Sequence, residues 1–219
     1  MTPCTRLYTP PRVVVFAKAP QPGRAKTRLI PALGAQGAAD LALRMLLHTL
    51  EQALASGLGA VELCMSPGPG ASAWEGVALP PNLQLSDQGE GDLGQRMARA
   101  VHRVTTTLAQ PVLLMGTDCP ALSAAHIAHA AQELQQHDAV LVPVADGGYV
   151  LIGLHAPCAE VFSNMAWSTA TVASETIRRL ELQSRSVWIG PSLHDIDEPA
   201  DLAHLPQSLV APTHTTLRS

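Results

Sequence analysis

The sequence predicts an α/β domain built on a mostly parallel sheet, because apolar β-branched runs alternate with helical patterns along the chain, as in successive βαβ units. Two further observations agree. Of the 219 residues, 47% are hydrophobic and 15% charged, a globular composition, and a chain of this length usually forms one domain with a substantial buried core.

The first strand is read at Val13–Phe16, followed by a long Ala/Leu-rich helix from about Gln36 to Ala55. Strands are expected next at Ala60–Met65 and Leu83–Ser86, separated by Ser66–Pro81, whose prolines and glycines mark a loop over the sheet. Leu93, Met97, Ala100, Val101, Val104 and Leu108 recur at helical spacing and form a core stripe. A strand at Val112–Met115 precedes a second stripe, Ile127, Ala130, Ala131 and Leu134, with Ser123 at the N-cap. The remaining strands are expected at Ala139–Val144, Tyr149–Leu154 and Ser186–Ile189, and Pro199 suits the first turn of a helix with Glu198 at its N-terminus. Residues 1–12 read as an extension, and from Pro206 to 219 the chain is a polar tail expected to fray.

Charge and cysteine usage narrow the function classes. The net charge is −4 and no basic run exceeds two residues, so the footprint of a nucleic-acid binder is missing. Cys4, Cys64, Cys119 and Cys158 contain no CxxC pair, which argues against a zinc knuckle or a disulfide framework and fits a reducing cytoplasm. No apolar stretch approaches a membrane span, and the first residues lack a signal-peptide core, so a soluble, unexported, cytoplasmic protein is expected. None of the nine His falls into HExxH, which disfavours a zinc hydrolase.

Basic residues instead concentrate locally. Of the 14 Lys and Arg, Lys18, Arg24, Lys26 and Arg28 all fall between positions 18 and 28, where prolines and Gly23 break the chain directly after the first strand. Such a loop at the C-terminal edge of a strand is where an open α/β sheet binds anions, phosphate above all. The string PGRAKT ends like a P-loop but lacks the glycines of GxxxxGK[ST]. Gly89, Gly91 and Gly94 spell a literal GxGxxG, yet Glu90 and Asp92 would place carboxylates where a pyrophosphate sits, and the motif follows the third strand instead of the first. A nicotinamide-type oxidoreductase is therefore the weaker reading.

Acidic candidates follow. Asp118 stands at the end of the buried strand Val112–Met115, facing the crevice where substrates bind in such sheets. Asp146 lies in the glycine turn Asp146–Tyr149. Asp195 and Asp197 are one residue apart, so an extended backbone points both to one side. If they converge with Asp118, their mutual repulsion calls for a cation.

In that order, FAKAPQPGRAKTRLIPALG, GEGDLGQRM, GTDCPAL, DGGYVLIGL, Trp167-Ser168-Thr169 and DIDEPADL closely resemble a GT-A-like bacterial family of arsenosugar-biosynthesis glycosyltransferases, also described as radical-SAM/selenodomain-associated transferases. The resemblance runs from about Val13 to Leu205, and more distantly it extends to small nucleotidyltransferases. It implies a GT-A-like three-layer sandwich over 13–205 and a nucleotide or nucleotide-sugar donor with a small acceptor, without nucleic-acid or membrane partners. Gly23, Arg24, Lys26 and Arg28 then match the loop that holds the nucleotide phosphates, with Ala17 and Lys18 at its start. Asp118 matches the metal-binding aspartate for Mg²⁺ or Mn²⁺, and Asp197 the second, with Asp195 as its substitute if the register differs. The stretch from Asp92 to Arg96 corresponds to the segment that contacts base or ribose.

Lys26 and Asp118 are thus the expected catalytic residues, joined by Asp146 as general base or as a partner for a sugar hydroxyl, with Gly147, Gly148 and Tyr149 on the acceptor side. One departure matters: a typical GT-A glycosyltransferase carries Asp-x-Asp, whereas this triplet is Asp118-Cys119-Pro120, whose single acid resembles the nucleotidyltransferases more. Nucleotidyl transfer with release of pyrophosphate is therefore the alternative, and a non-catalytic nucleotide-binding protein the second alternative. Cys119, beside a carboxylate, is read as packing with a raised thiol pKa.

Overall fold

The computed structural model describes residues 9–210, so most of the 1–12 extension and of the 206–219 tail lies outside the described residues. A seven-stranded sheet has the order β3-β2-β1-β4-β6-β5-β7. Its strands are β1 (Arg12–Lys18), β2 (Val61–Ser66), β3 (Gln84–Asp87), β4 (Val112–Met115), β5 (Ala139–Pro143), β6 (Tyr149–Leu154) and β7 (Val187–Ile189). Every strand read from the sequence is present, because each is an apolar or β-branched run bounded by turn residues.

Pairing is parallel for β1 with β2 and β4, β2 with β3, and β5 with β7; only β6 runs against its neighbours β4 and β5. The first strand lies in the middle of the sheet, the chain moves outward through β2 and β3, and it then returns to place β4 on the other flank of β1. The point where the winding direction reverses therefore lies between β1 and β4, and the loops leaving their C-terminal ends splay apart to form a crevice.

Helices cover both faces. On one face α1 (Ile30–Ala55) and α3 (Ala124–Glu133) pack Leu46, Leu50, Ile127 and Ala130 onto Val13, Val15, Leu63 and Leu113. On the other, α2 (Leu93–His102), α4 (Ala159–Phe162) and α5 (Val172–Leu182) bring Met97, Val101, Phe162 and Leu180 onto Val14, Leu114 and Ile152. Alternating β1 residues thus serve opposite layers, as the pleat dictates.

Local chemistry sets the helix ends. Asp92 caps α2 and Ser123 caps α3, each in a reciprocal box with the residue at the third helical position, Gln95 and His126. The α1 segment starts earlier than the pattern indicated, at Ile30, but breaks at Gly34 (φ 71°, ψ 167°), so its continuous part is the expected Ala/Leu-rich stretch. The stripe from Leu93 to Leu108 is only partly core: its middle is buried, while Leu93 and Leu108 are exposed, and the last turn is a π-helical stretch at Arg103–Thr107. Beyond 205, a 3-10 turn at Gln207–Leu209 buries Leu209 against the cluster of Leu29, Met45 and Ile196. Among the described residues no helix is long and apolar enough to cross a membrane.

One buried charge network ties β1 to β2. Glu62, 2% exposed, lies 3.7 Å from Arg12 and accepts hydrogen bonds from Arg103 and from Ser86 Oγ. A carboxylate this deep is tolerated only because cations and donors saturate it.

Candidate active site

The crevice at the β1–β4 reversal has a volume of about 820 Å³ and gathers residues from separate stretches of chain, including Lys26, Gln88, Arg96, Asp118, Asp146 and Asp195. The loop leaving β1 supplies its basic wall. Gly23 (φ 75°) and Lys26 (φ 47°, ψ 46°) take left-handed conformations, and a 3-10 turn at Thr27–Leu29 leads into α1. The tight turn carries Lys26 inward, its side chain 6% exposed, while Arg24 and Arg28 stay at the surface. Lys18 is exposed at the end of β1, and Ala17 is buried with its carbonyl turned to Gln88.

The acidic wall comes from three segments that the backbone stitches together. Asp118 follows β4 with its carboxylate largely exposed, and its main-chain carbonyl accepts a 2.8 Å hydrogen bond from Ile196 N. Ile196 is fully buried in the cluster beside α1, which turns Asp195 and Asp197 outward on the opposite side, as their spacing predicts. Asp201 fixes this segment further by accepting from the main-chain N–H of Asp197 (3.0 Å) and Glu198 (2.7 Å). Asp146 is brought alongside by a parallel bridge between Val144 and Leu193 and by Ala145 N donating to Leu193 O at 2.9 Å.

Lys26 joins the two walls. Its ammonium forms an ion pair with Asp118, donates to Ile196 O at 2.5 Å, and lies 3.9 Å from Asp197. Arg28 takes Asp197 at 2.9 Å and approaches Glu198 at 3.6 Å. Asp195, by contrast, has no Lys or Arg partner among the described residues. Partial burial pushes its pKa up, and the neighbouring charges of Asp146, Asp201 and Asp118 push it further.

Those oxygen donors fit a hard divalent cation in chemistry, since Asp118, Asp146, Asp195 and Asp197 all line the crevice, and Asp146 and Asp195 have no Lys or Arg partner among the described residues. They do not form a closed cage: among the described residues no group of three or more His, Cys, Asp or Glu is gathered as a ready-made metal site. The expectation that Asp197 outranks Asp195 meets a competing fact, because Arg28 already neutralises Asp197.

On the β3 side, Gly89 (φ 71°) and Gly91 (φ 106°) form the turn into α2. The third glycine of that GxGxxG has a packing role, since a Cβ on Gly94 would come within 2.3 Å of Phe162 O, where α2 crosses α4. Asp92 spends a carboxylate oxygen on the α2 cap, and Arg96 reaches back to Gly91 O (2.8 Å) and Ser66 Oγ (3.3 Å). Both line the crevice.

The Asp146–Tyr149 turn closes the far side. Gly148 N donates to Asp146 Oδ1 at 2.8 Å, and Gly147 (φ 91°) permits an approach in which a Cβ would meet Ala170 O at 2.1 Å. That docking sets Trp167, Ser168 and Thr169 at the crevice mouth. The Tyr149 hydroxyl is buried beside the Thr176 hydroxyl without a well-formed hydrogen bond, and burial pushes the Tyr149 pKa well above its usual value. Tyr149 therefore lines the crevice with its hydroxyl withheld from it.

Two contributors escape motif reading. Gln88, 5% exposed, uses its amide N–H groups to bridge Ala17 O (3.1 Å) and Cys64 O (3.0 Å), and its only signal is its place before GEGDLG. The Ile196 carbonyl that accepts from Lys26 leaves no trace in side-chain pattern at all. Cys119 is buried as expected, its pKa pushed up to about 11 chiefly by desolvation, with Asp195 and Asp118 as lesser causes.

Comparison with known proteins bears on the fold and the family. The family model described as "Uncharacterized protein conserved in bacteria (DUF2064)" matches residues 49–169, a stretch that includes Gln88, Asp118 and Asp146. A crystal structure from Desulfovibrio desulfuricans G20, described as a candidate nucleotide-diphospho-sugar transferase, is 28% identical with a TM-score of 0.81, and the match covers 96% of this chain and 91% of that one. Rv0371c of Mycobacterium tuberculosis H37Rv, in complex with manganese, is 17% identical with a TM-score of 0.54 over 90% of this chain and 98% of its own. The 4-diphosphocytidyl-2C-methyl-D-erythritol synthase of Anaerococcus prevotii DSM 20548 is 11% identical with a TM-score of 0.55, covering 89% and 93%. The last two likenesses show the fold alone, which is that of nucleotide-diphospho-sugar transferases and nucleotidyltransferases. No curated protein matches the chain.

Proposed function

The chain belongs to the DUF2064 family, and from that premise and the two facing walls of the crevice we propose that it is a metal-dependent transferase of the GT-A type acting on a nucleotide-diphospho-sugar. The observation that carries the reading is the meeting of Lys26 with Asp118 and the Asp195–Asp197 segment at the β1–β4 reversal. A diphosphate departs only when its growing negative charge is neutralised, and this rim offers both cationic side chains and carboxylates able to hold a cation. The ordered motifs from FAKAP to DIDEPADL support sugar transfer of the arsenosugar-glycosyltransferase kind.

In this reading Asp118 and Asp195 would hold Mg²⁺ or Mn²⁺, with Asp197 beside them, and the bound cation would neutralise the diphosphate oxygens. Lys26 and Arg28 stabilise the remaining phosphate charge, and Lys18 and Arg24, exposed on the same wall, draw the anion in. Asp92 and Arg96 bound the nucleoside end. Asp146, exposed beside Asp195 on the acidic wall, accepts the proton of an acceptor hydroxyl or holds it in place. Trp167, which lines the same side, helps to exclude water there.

Nucleotidyl transfer from an NTP to a phosphorylated acceptor is the second reading, favoured by the single acid in Asp118-Cys119-Pro120, where Cys119 is buried and adds no second carboxylate. Incubation with Mn²⁺, a panel of sugar, alcohol and phosphorylated acceptors, and either UDP-sugars or CTP, GTP and UTP separates the two: release of a nucleoside diphosphate supports glycosyl transfer, and release of pyrophosphate supports nucleotidyl transfer. Binding of these donors without either product would leave a nucleotide-binding protein.

A further inference from the structure

We propose that the Lys26 ammonium is the resident cation of the carboxylate rim, and that a divalent cation and a nucleotide displace it together. The inference rests on the transferase reading above and adds how that site loads.

A lysine meant only to greet phosphate would hold its head group toward open crevice. Lys26 does the reverse: its side chain is 6% exposed, against 57% for Arg28, and its ammonium is engaged by the Asp118 carboxylate, by Ile196 O at 2.5 Å and by Asp197 at 3.9 Å. An ammonium has three donors and no acceptor, so these partners leave it little to offer a ligand. The left-handed backbone at Lys26, uncommon outside glycine, aims the stem at this spot. A divalent cation at Asp118 competes with this ammonium, because the two positive charges repel each other around one carboxylate.

The four-carbon stem lets the head group move while the backbone stays put. A divalent cation arriving alone must evict the ammonium with nothing to receive it. A nucleotide diphosphate supplies the receiver: its phosphates accept the ammonium as the cation takes Asp118, with Asp195 and Asp146 contributing negative charge that no Lys or Arg neutralises among the described residues. Metal and nucleotide binding are therefore coupled, and Lys26 sets the coupling.

The test is calorimetric titration of Mn²⁺ into wild type, Lys26→Met and Lys26→Arg, each alone and with saturating UDP, CDP or GDP, with melting temperatures to establish folding. Expected is Mn²⁺ binding to Lys26→Met alone that is about tenfold tighter than to wild type or more, with Lys26→Arg close to wild type. Wild type should gain about tenfold in Mn²⁺ affinity when its nucleotide is present, and Lys26→Met should gain little. If Lys26→Met binds Mn²⁺ no tighter than wild type, while wild type still binds Mn²⁺ with nucleotide, the exchange is overturned and the transferase reading stands. If no form binds Mn²⁺ or nucleotide, both fall. Should Lys26→Met fail to fold, the wild-type coupling decides, and its absence overturns the proposal.

Discussion

Lys26 and Asp118, one on the loop after β1 and the other at the end of β4, form an ion pair across the point where the sheet reverses its winding. The pair is the physical junction between a basic loop and an acidic rim that lie far apart in sequence. Asp118→Asn removes the carboxylate while keeping its shape, and because the side chain is largely exposed the fold should survive. The expected result in a melting-temperature assay is loss of the rise produced by Mn²⁺ with nucleotide, and turnover should fall about 10²- to 10³-fold.

Asp195 should behave as a residue that costs stability for the sake of function. Its pKa is raised by burial and then by Asp146, Asp201 and Asp118. A folded pKa above the unfolded one favours the protonated form in the fold, so the contribution to stability is present below the ordinary value of 3.8 and is lost as pH rises through the folded pKa. Asp195→Asn should therefore raise the metal-free melting temperature at neutral pH and remove the stabilisation by Mn²⁺. An unchanged or lower metal-free melting temperature would contradict the repulsion at this rim.

Burial, more than charge, should silence the cysteines. With its thiol pKa pushed up to about 11, Cys119 is thiolate in only about one molecule in a thousand at pH 8. Cys64, Cys119 and Cys158 are all buried and free. Mass spectrometry after iodoacetamide treatment of native protein should find these positions unmodified, and all should react in denaturant. Native labelling of Cys119 would show that the loop after β4 opens.

Gly147→Ala should damage the acceptor side. The new Cβ would lie 2.1 Å from Ala170 O, and φ 91° is unfavourable for any L side chain. A loss of about 2 kcal/mol or more in denaturant unfolding is expected, along with a larger loss of turnover as the segment bearing Trp167 and Thr169 is pushed away. Near-wild-type stability would mean the turn can shift freely.

Away from the crevice, Arg103→Ala should cost about 3 kcal/mol, because it strips a principal partner from Glu62 at 2% exposure and leaves only Arg12, at 3.7 Å, to offset the charge. Chemical denaturation measures this directly. Arg103→Ala combined with Glu62→Gln should recover part of the loss.

Much of this fold was legible because strands and the longer helices obey simple periodicities, and the caps at Asp92 and Ser123 are local chemistry. The short α4 and the polar α5 were not read, since their burial depends on docking against α2 and the sheet and not on a strong apolar stripe. The candidate site was legible in its members and less so in its pairings. The spacing of Asp195 and Asp197 places both on one side, but nothing in the sequence indicates that Arg28 takes Asp197 and leaves Asp195 uncompensated. Nor can composition reveal that Ile196 bonds Asp118 through its N–H and Lys26 through its carbonyl, a main-chain link that brings the walls together. The GxGxxG string shows the converse: two of its glycines make a turn, and the third relieves a helix crossing.

The most direct test of the central claim is an anomalous-difference map from crystals soaked with Mn²⁺ and a UDP, CDP and GDP mixture. The account predicts one strong Mn²⁺ peak ligated by Asp118 and Asp195, with the diphosphate between it and the side chains of Lys26 and Arg28. A nucleotide bound with Mn²⁺ elsewhere, or a peak in contact with neither carboxylate, would contradict it.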